Sequence, residues 1–321
     1  MLKIILIAVL ALIALLAMVT GILLCVAVVG VRSVSPKRVG AADSWMWRKY
    51  ADIINAELDW FDAQAPERVS ITSFDGLKLT GLYLPAENAR GTMLLMHGFH
   101  SSAYRDFSCA FRLYHSLGYN ILTVYQRAHG ESEGKFITYG VKERFDCLEW
   151  CRYLNRRSGP EPDVFLSGIS MGSSTVLMAT GLELPENVRG VIADCGFTSP
   201  WDEFAYIMKK RMHLPLVHPL LDIVSAASKL IAGFGFRDYS VPRAMEKNRL
   251  PVLFVHGTAD TFVPPEMTLE NYAACHAPKE LIMVEGAHHG ESFLIETDRY
   301  VSAVKAFLSR WGTCGKDAKM P

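Results

Sequence analysis

The strongest chemical signal in the chain is Gly168-Ile169-Ser170-Met171-Gly172. It follows a short apolar stretch, Val164-Phe165-Leu166, and opens a segment of helical pattern over 173–182. A serine between glycines at a strand-to-helix turn is the pattern of a nucleophile elbow. The glycines permit the sharp turn, and Ser170 stands at the positive end of the following helix. A serine hydroxyl is a weak nucleophile near neutral pH. It needs an imidazole to take its proton, and the imidazole needs a carboxylate to fix its tautomer. Both types follow in the sequence. Asp194 ends one apolar run, Asp260 lies in a loop after another, and His288 and His289 stand side by side in Gly286-Ala287-His288-His289-Gly290-Glu291-Ser292.

Such groups need a rigid scaffold, and the hydrophobic pattern supplies one. Short apolar runs recur at 93–96, 121–125, 164–166, 191–193, 252–255 and 281–284. They are nearly continuous in apolar residues, as strands buried on both faces are. Helical patterns at 104–117, 141–155 and 173–182 alternate with them, which predicts a parallel sheet with helices on both faces. Upstream, 69–74 and 77–84 alternate around Asp75-Gly76 and read as an antiparallel hairpin. Nearly sixty residues separate the runs at 191 and 252. Helical stretches at 203–213 and 220–231, rich in apolar side chains, make this interval a cap above the sheet.

With these pieces in place the chain resembles the alpha/beta-hydrolase-fold serine hydrolases. It is similar to a membrane-anchored bacterial branch related to Bem46-like and prolyl-oligopeptidase-like catalytic domains. The resemblance spans about residues 67–311, with the cap at 197–248, and implies the chain order nucleophile, acid, histidine. His256-Gly257-Thr258-Ala259-Asp260-Thr261-Phe262-Val263-Pro264 matches the family's H-G-x-x-D-x-x-V-P stretch, which gives the acid to Asp260 over Asp194. The family's G-A-x-H-x-x-S loop gives the base to His289 and leaves His288 in a variable slot. The resemblance also implies a backbone oxyanion hole from the N–H groups of Met171 and Phe99. The latter lies in His97-Gly98-Phe99-His100, where His97 reads as a structural hydrogen bonder and His100 as a pocket residue. The loop Tyr125-Gln126-Arg127-Ala128-His129-Gly130-Glu131-Ser132 stands in place of D-x-R-G-H-G-x-S. It departs at Tyr125 and Ala128, and Arg127 and His129 are expected to brace it.

The amino terminus is of another kind. Residues 4–31 carry no charge and no proline. As a helix they would reach about 42 Å, more than a hydrocarbon core of about 30 Å requires, and the run is long for a cleaved signal. A retained transmembrane anchor is expected. An amphipathic juxtamembrane helix at 40–63, rich in tryptophan and tyrosine, lies either at the lipid interface or against the domain. Arg32, Lys37, Arg38, Arg48 and Lys49 outnumber Lys3, which leans toward a cytoplasmic catalytic domain, while a short amino-terminal tail leans the other way. Residues 312–321 form a tail.

Of the 321 residues, 33 are basic and 33 acidic, which excludes a basic nucleic-acid footprint. Half the residues are hydrophobic and 21% charged, which excludes intrinsic disorder. Seven scattered cysteines make no disulfide framework, and Cys147 and Cys151 fit the core face of one helix. No histidine or cysteine pair has zinc spacing, so no structural metal is expected, and an acyl-enzyme mechanism needs no cofactor. The sequence thus predicts a serine hydrolase acting on a small-molecule ester through an acyl-enzyme. The alternatives are a peptidase or amidase of the same fold, and a membrane scaffold without catalysis.

Overall fold

The computed structural model describes residues 1–30, 38–40, 45–215 and 217–313. Val31, Arg32 and Lys37 of the expected anchor region, residues 41–44 of the juxtamembrane helix, Leu216 of the cap and the tail from residue 314 lie outside the described residues.

Among the described residues eight strands form a single sheet: β1 (Glu67–Thr72), β2 (Lys78–Leu84), β3 (Gly91–Met96), β4 (Tyr119–Val124), β5 (Asp163–Ile169), β6 (Val188–Asp194), β7 (Val252–Gly257) and β8 (Lys279–Val284). Their order is β1-β2-β4-β3-β5-β6-β7-β8. The hairpin β1–β2 and the pair β2–β4 are antiparallel, and every other pair is parallel. The Asp75-Gly76 turn closes the hairpin with Ser73 N–H donating to Leu77 O at 2.8 Å, and Gly76 takes φ 87°.

The central strands are buried, save for the half-buried Ile169 at the end of β5, because each face has its own core. Leu94, Met96, Leu166 and Phe254 point into one core, and Met93, Leu95, Phe165 and Leu253 into the other. Alternate residues of one strand therefore serve opposite faces. Among the described residues there are also twelve α-helices. α1 (Leu2–Ala27), α2 (Trp45–Lys49) and α3 (Ala51–Ala63) precede the sheet. α4 (Ser108–Ser116), α5 (Glu143–Ser158) and α6 (Met171–Ala179) lie between strands. The insertion contains α7 (Pro200–Tyr206), α8 (Val217–Ile231) and α9 (Val241–Met245), and α10 (Pro265–Ala274), α11 (Ser292–Ile295) and α12 (Thr297–Trp311) complete the chain. The core of α3, α4 and α12 includes Leu58, Phe111 and Phe307; the opposite core takes Cys147 and Cys151 from α5 with Val176 from α6.

Two expected helices differ in detail. The juxtamembrane segment turns at Tyr50 between α2 and α3, and Ile54, Leu58 and Phe61 of α3 are buried in the domain core. In the cap, Ser199 Oγ accepts from Asp202 N–H at 3.1 Å and Pro200 occupies the first turn of α7, which starts that helix earlier than the apolar pattern suggests. α7 then widens into a π-helical turn, Ile207–Arg211.

The amino-terminal helix is not an isolated rod. Most of α1 is exposed, but Thr20 and Leu24 are buried and Val28 is 1% exposed. Tyr139 Oη donates to Ala27 O at 2.5 Å, Ile137 N–H to Val28 O at 2.8 Å, and Gly30 N–H to Lys135 O at 2.8 Å. A Cβ on Gly30 would lie 2.5 Å from the Cβ of Ala128. Ala128 itself takes φ 61°, the left-handed region that explains why glycine is common at this position.

Arg127 fixes that loop. Its guanidinium donates to Asp146 at 2.6 and 2.7 Å and to Asp75 at 2.9 and 3.1 Å, and it is almost wholly buried. Removing one partner of a buried ion pair strands the other charge. Arg127→Met is expected to cost about 3–5 kcal/mol of stability, measured by urea unfolding, and more than Arg127→Met combined with Asp146→Leu. A loss below about 1 kcal/mol would mean the network does not hold the loop.

Candidate active site

The geometry of β5, the elbow and α6 depends on very close backbone approach. A Cβ at Gly168 would lie 2.2 Å from Gly172 O, and one at Gly172 would lie 1.8 Å from Met96 O at the end of β3. Only glycine permits helix and strand ends to meet this way. Ser170 is thereby held at φ 57°, ψ −120°, a sparsely populated conformation for a residue with a side chain. It is 7% exposed, and its N–H donates to Asp194 O at 2.9 Å. Met171 is the first residue of α6, so its N–H has no carbonyl to bond within the helix. Phe99 lies across from the elbow, next to Gly98, whose absent Cβ would lie 3.2 Å from Ser170 Cβ.

Ser170, His289 and Asp260 come from three loops at the carboxyl ends of β5, β8 and β7, and they meet. Ser170 Oγ–H donates to His289 Nε2 at 2.9 Å, and His289 Nδ1–H donates to Asp260 Oδ2 at 2.7 Å. The proton positions are those the network requires. Asp260 Oδ1 accepts from the N–H groups of Phe262 at 2.8 Å and Val263 at 3.0 Å. Burial alone would push the Asp260 carboxyl up. The hydrogen bonds from His256 and His289 outweigh it and hold the group well below the usual carboxylate range. Asp260 is therefore ionised although buried.

The other candidates fall elsewhere. Asp194 accepts from Ser292 Oγ at 3.2 Å, while His289 gives its Nδ1 proton to Asp260; burial pushes Asp194 up to about 6. His288 points its Nδ1 at Ala259 O, 2.9 Å away. His97 is fully buried and binds backbone: its Nδ1 lies 2.7 Å from Gly98 O, and its Nε2 accepts from Gln126 N–H at 3.1 Å. His129 Nε2 accepts from His100 N–H at 3.2 Å, so it joins the two loops. Burial lowers both His97 and His129, keeping them neutral.

Sequence reasoning passes over His256, although it stands four residues before Asp260. It is fully buried beneath the carboxylate, and its Nε2–H is shared between Asp260 Oδ2 at 3.1 Å and Val263 O at 3.0 Å. Thr268 Oγ1, 2.7 Å from Nδ1, sets its orientation. Cys195 lies close behind, its Sγ within 4.8 Å of ligand atoms of Asp260 and His289. Burial pushes the Cys195 thiol up, and a neutral thiol is a poor metal ligand.

Two cavities meet at Ser170. One, of about 270 Å³, is lined by Trp47, His100, Arg105 and Asp106 together with His289 and Phe293. The other, of about 370 Å³, lies under the cap against Phe197, Phe204, Met208, Leu221 and Phe236. Phe99 and Phe262 border both. Phe262 also touches the His289 ring, with centroids 4.9 Å apart.

Comparison with known proteins agrees with this architecture. A family model described as serine aminopeptidase, S33, matches residues 87–247. The uncharacterized YqkD of Bacillus subtilis is 28% identical over 264 residues, covering 80% of this chain and 86% of its own. The uncharacterized YfhR of Escherichia coli K12 is 25% identical over 238 residues, covering 72% and 76%. Among solved structures, a Pyrococcus furiosus esterase superposes with a TM-score of 0.64 at 24% identity, covering 87% of this chain and 98% of that one. A Pyrococcus horikoshii acylaminoacyl peptidase gives 0.59 at 16%, covering 80% and 42%. Such structural likeness speaks to fold. The family match covers half the chain, over the segment that runs from β3 through the elbow to the cap, and on it the chain belongs to the serine aminopeptidase, S33, family of alpha/beta hydrolases.

Proposed function

We propose that this protein is a serine hydrolase of carboxylic esters, working through an acyl-enzyme with Ser170, His289 and Asp260 as its catalytic triad. The observation that carries the reading is the continuous hydrogen-bonded chain from Ser170 Oγ to an ionised Asp260. Ser170 Oγ attacks the ester carbonyl as His289 Nε2 takes its proton. The new imidazolium is stabilised by Asp260. The N–H groups of Met171 and Phe99 receive the oxyanion, a contribution of about 3 kcal/mol per donor in comparable sites. His289 then protonates the leaving alcohol, and water repeats the sequence on the acyl-Ser170 ester.

The cavity under the cap is the acyl chamber in this reading. Its lining is almost entirely apolar, and each methylene buried there would add up to about 0.8 kcal/mol of binding. Medium or long acyl esters, including those of lysophospholipid type, are therefore the proposed substrates. The amino-terminal helix is proposed to be a retained membrane anchor. Its last turn supports this, since removing residues 20–30 as a signal would strip a wall from the domain.

A buried carboxyl sits in the wall of that chamber. Glu203 is 3% exposed, and neither carboxyl oxygen has a hydrogen-bond partner. Burial, with the charge of Asp260, pushes its carboxyl well above the usual range, so the folded protein holds it protonated. The folded state then binds more protons than the unfolded chain at any pH above about 4.5 and below the raised value, so stability falls as pH rises through that window. Glu203→Gln removes this dependence. Its unfolding free energy should gain on the parent from pH 5 to pH 8, by at most about 1.4 kcal/mol per pH unit. Parallel stability profiles would show that Glu203 is not held neutral.

The triad assignment makes a sharper prediction. Ser170→Ala is expected to abolish labelling by a fluorophosphonate probe and to lower ester turnover by roughly 10⁶-fold. His289→Ala should be nearly as severe because triad members act as a unit, whereas His288→Ala should retain most activity. Labelling that survives Ser170→Ala would refute the nucleophile. Across a ladder of acyl esters, kcat/KM should rise from acetyl toward longer chains. A fall with chain length would leave a small-ester hydrolase, and cleavage of aminoacyl amides but no ester would favour the peptidase reading.

A further inference from the structure

We infer that the last turns of α1 are part of the substrate site itself: they form the lip of the acyl chamber, and the chamber is filled sideways from the bilayer by the hydrocarbon chain of a membrane-resident ester. This rests on the ester-hydrolase reading above. It goes further in making the membrane helix a binding element and not only a tether.

Ile22, Leu23, Val26 and Ala27 line the same cavity as Ser170. Their spacing, i, i+1, i+4, i+5, places them on one face of the helix. Ile22 and Val26 remain 55% and 68% exposed while lining the cavity. They therefore stand at its opening, with one side toward the chamber and the other toward whatever surrounds α1. The opening is held in place. The bonds from Tyr139, Ile137 and Gly30 fix the end of α1, so the lip cannot swing away as a flexible tether would.

Length sets the depth of the opening. α1 has 26 residues, about 39 Å of helix, and a hydrocarbon core of about 30 Å takes about 20 of them. If Leu2–Gly21 fill the core, Ile22–Ala27 emerge at the headgroup boundary. The cap is suited to the same level. Ser228 and Ile231 of α8 face Gly21, Leu24 and Cys25 of α1 across a void of about 200 Å³. Beside them Leu230 is 88% and Ile231 62% exposed, an apolar tip in contact with the surroundings of α1. Lys209, Lys210 and Arg211 are exposed on the π-helical turn, and Arg211 also lines the chamber. Basic residues at this depth suit an anionic lipid surface. An acyl chain could then pass from leaflet to Ser170 between α1 and the cap without crossing water.

The test uses the full-length protein in phosphatidylcholine–phosphatidylglycerol vesicles and a long-chain alkyl fluorophosphonate bearing a diazirine at the chain end. The expected result is an adduct on Ser170 whose photocrosslink maps to the α1 peptide, within Ile22–Ala27, or to the facing cap residues Met208 and Leu221. A Ser170 adduct with crosslinks only to Trp47, Arg105 or Phe293 would overturn the inference and leave the hydrolase reading standing. No adduct on Ser170 would overturn both. As a second readout, Val26→Trp should lower kcat/KM for a dodecanoyl ester by about tenfold or more beyond any effect on the acetyl ester, what losing about two buried methylenes does. Leu15→Trp, on the same helix but away from the chamber, should alter neither. Equal rates for Val26→Trp and the parent on the dodecanoyl ester would contradict the proposal.

Discussion

The molecule depends on one backbone contact, the first turn of α6 pressed against the end of β3. It exists because Gly172 has no Cβ to strike Met96 O, and Gly168 none to strike Gly172 O. The contact turns the chain sharply enough to hold Ser170 in the left-handed region above the sheet, at the positive end of a helix. The buried parallel strands keep the elbow in register with the loops after β7 and β8. Without that register His289 and Asp260 would have no fixed partner.

The second constraint is electrostatic. A carboxylate inside a domain is costly unless its oxygens are satisfied. Asp260 meets this with two backbone N–H groups on one oxygen and two histidines on the other. His256 supports the acid from below while His289 faces the serine, so the buried negative charge is kept available to an imidazolium. Glu203 shows the other outcome. With no partner for either oxygen it is kept protonated, and it adds no second negative charge beside Asp260.

Much of this was legible in the sequence because it is local. The elbow, the acid loop and the histidine loop are each a short motif, and the buried strands are marked by nearly continuous apolar runs. In the hydrogen bonds it is His289, not His288, that meets Asp260, while Asp194 accepts from Ser292. What was not legible depends on distant packing. His256 lies inside a visible motif, but only the fold shows its imidazole under the carboxylate. In α1 only Thr20-Gly21 interrupt the apolar run, and nothing in the sequence says that the surroundings change there, between Thr20 and Leu24, from open surface to protein. The break at Tyr50 has no glycine or proline to announce it, and α3 is set by the core that buries Leu58 and Phe61. Ala128 is visible as a departure from glycine, but its cost and its closeness to Gly30 appear only when the end of α1 is docked beside it.

In the proposed mechanism an acyl group passes through Ser170. The most direct measurement is peptide mass spectrometry of the full-length protein, quenched in acid during turnover of a dodecanoyl ester in vesicles. An acyl-enzyme on Ser170 predicts a dodecanoyl mass increment on the peptide carrying it, formed at a rate that supports turnover and lost in Ser170→Ala. Turnover accompanied by acylation of a different residue, with Ser170 unmodified, would contradict it.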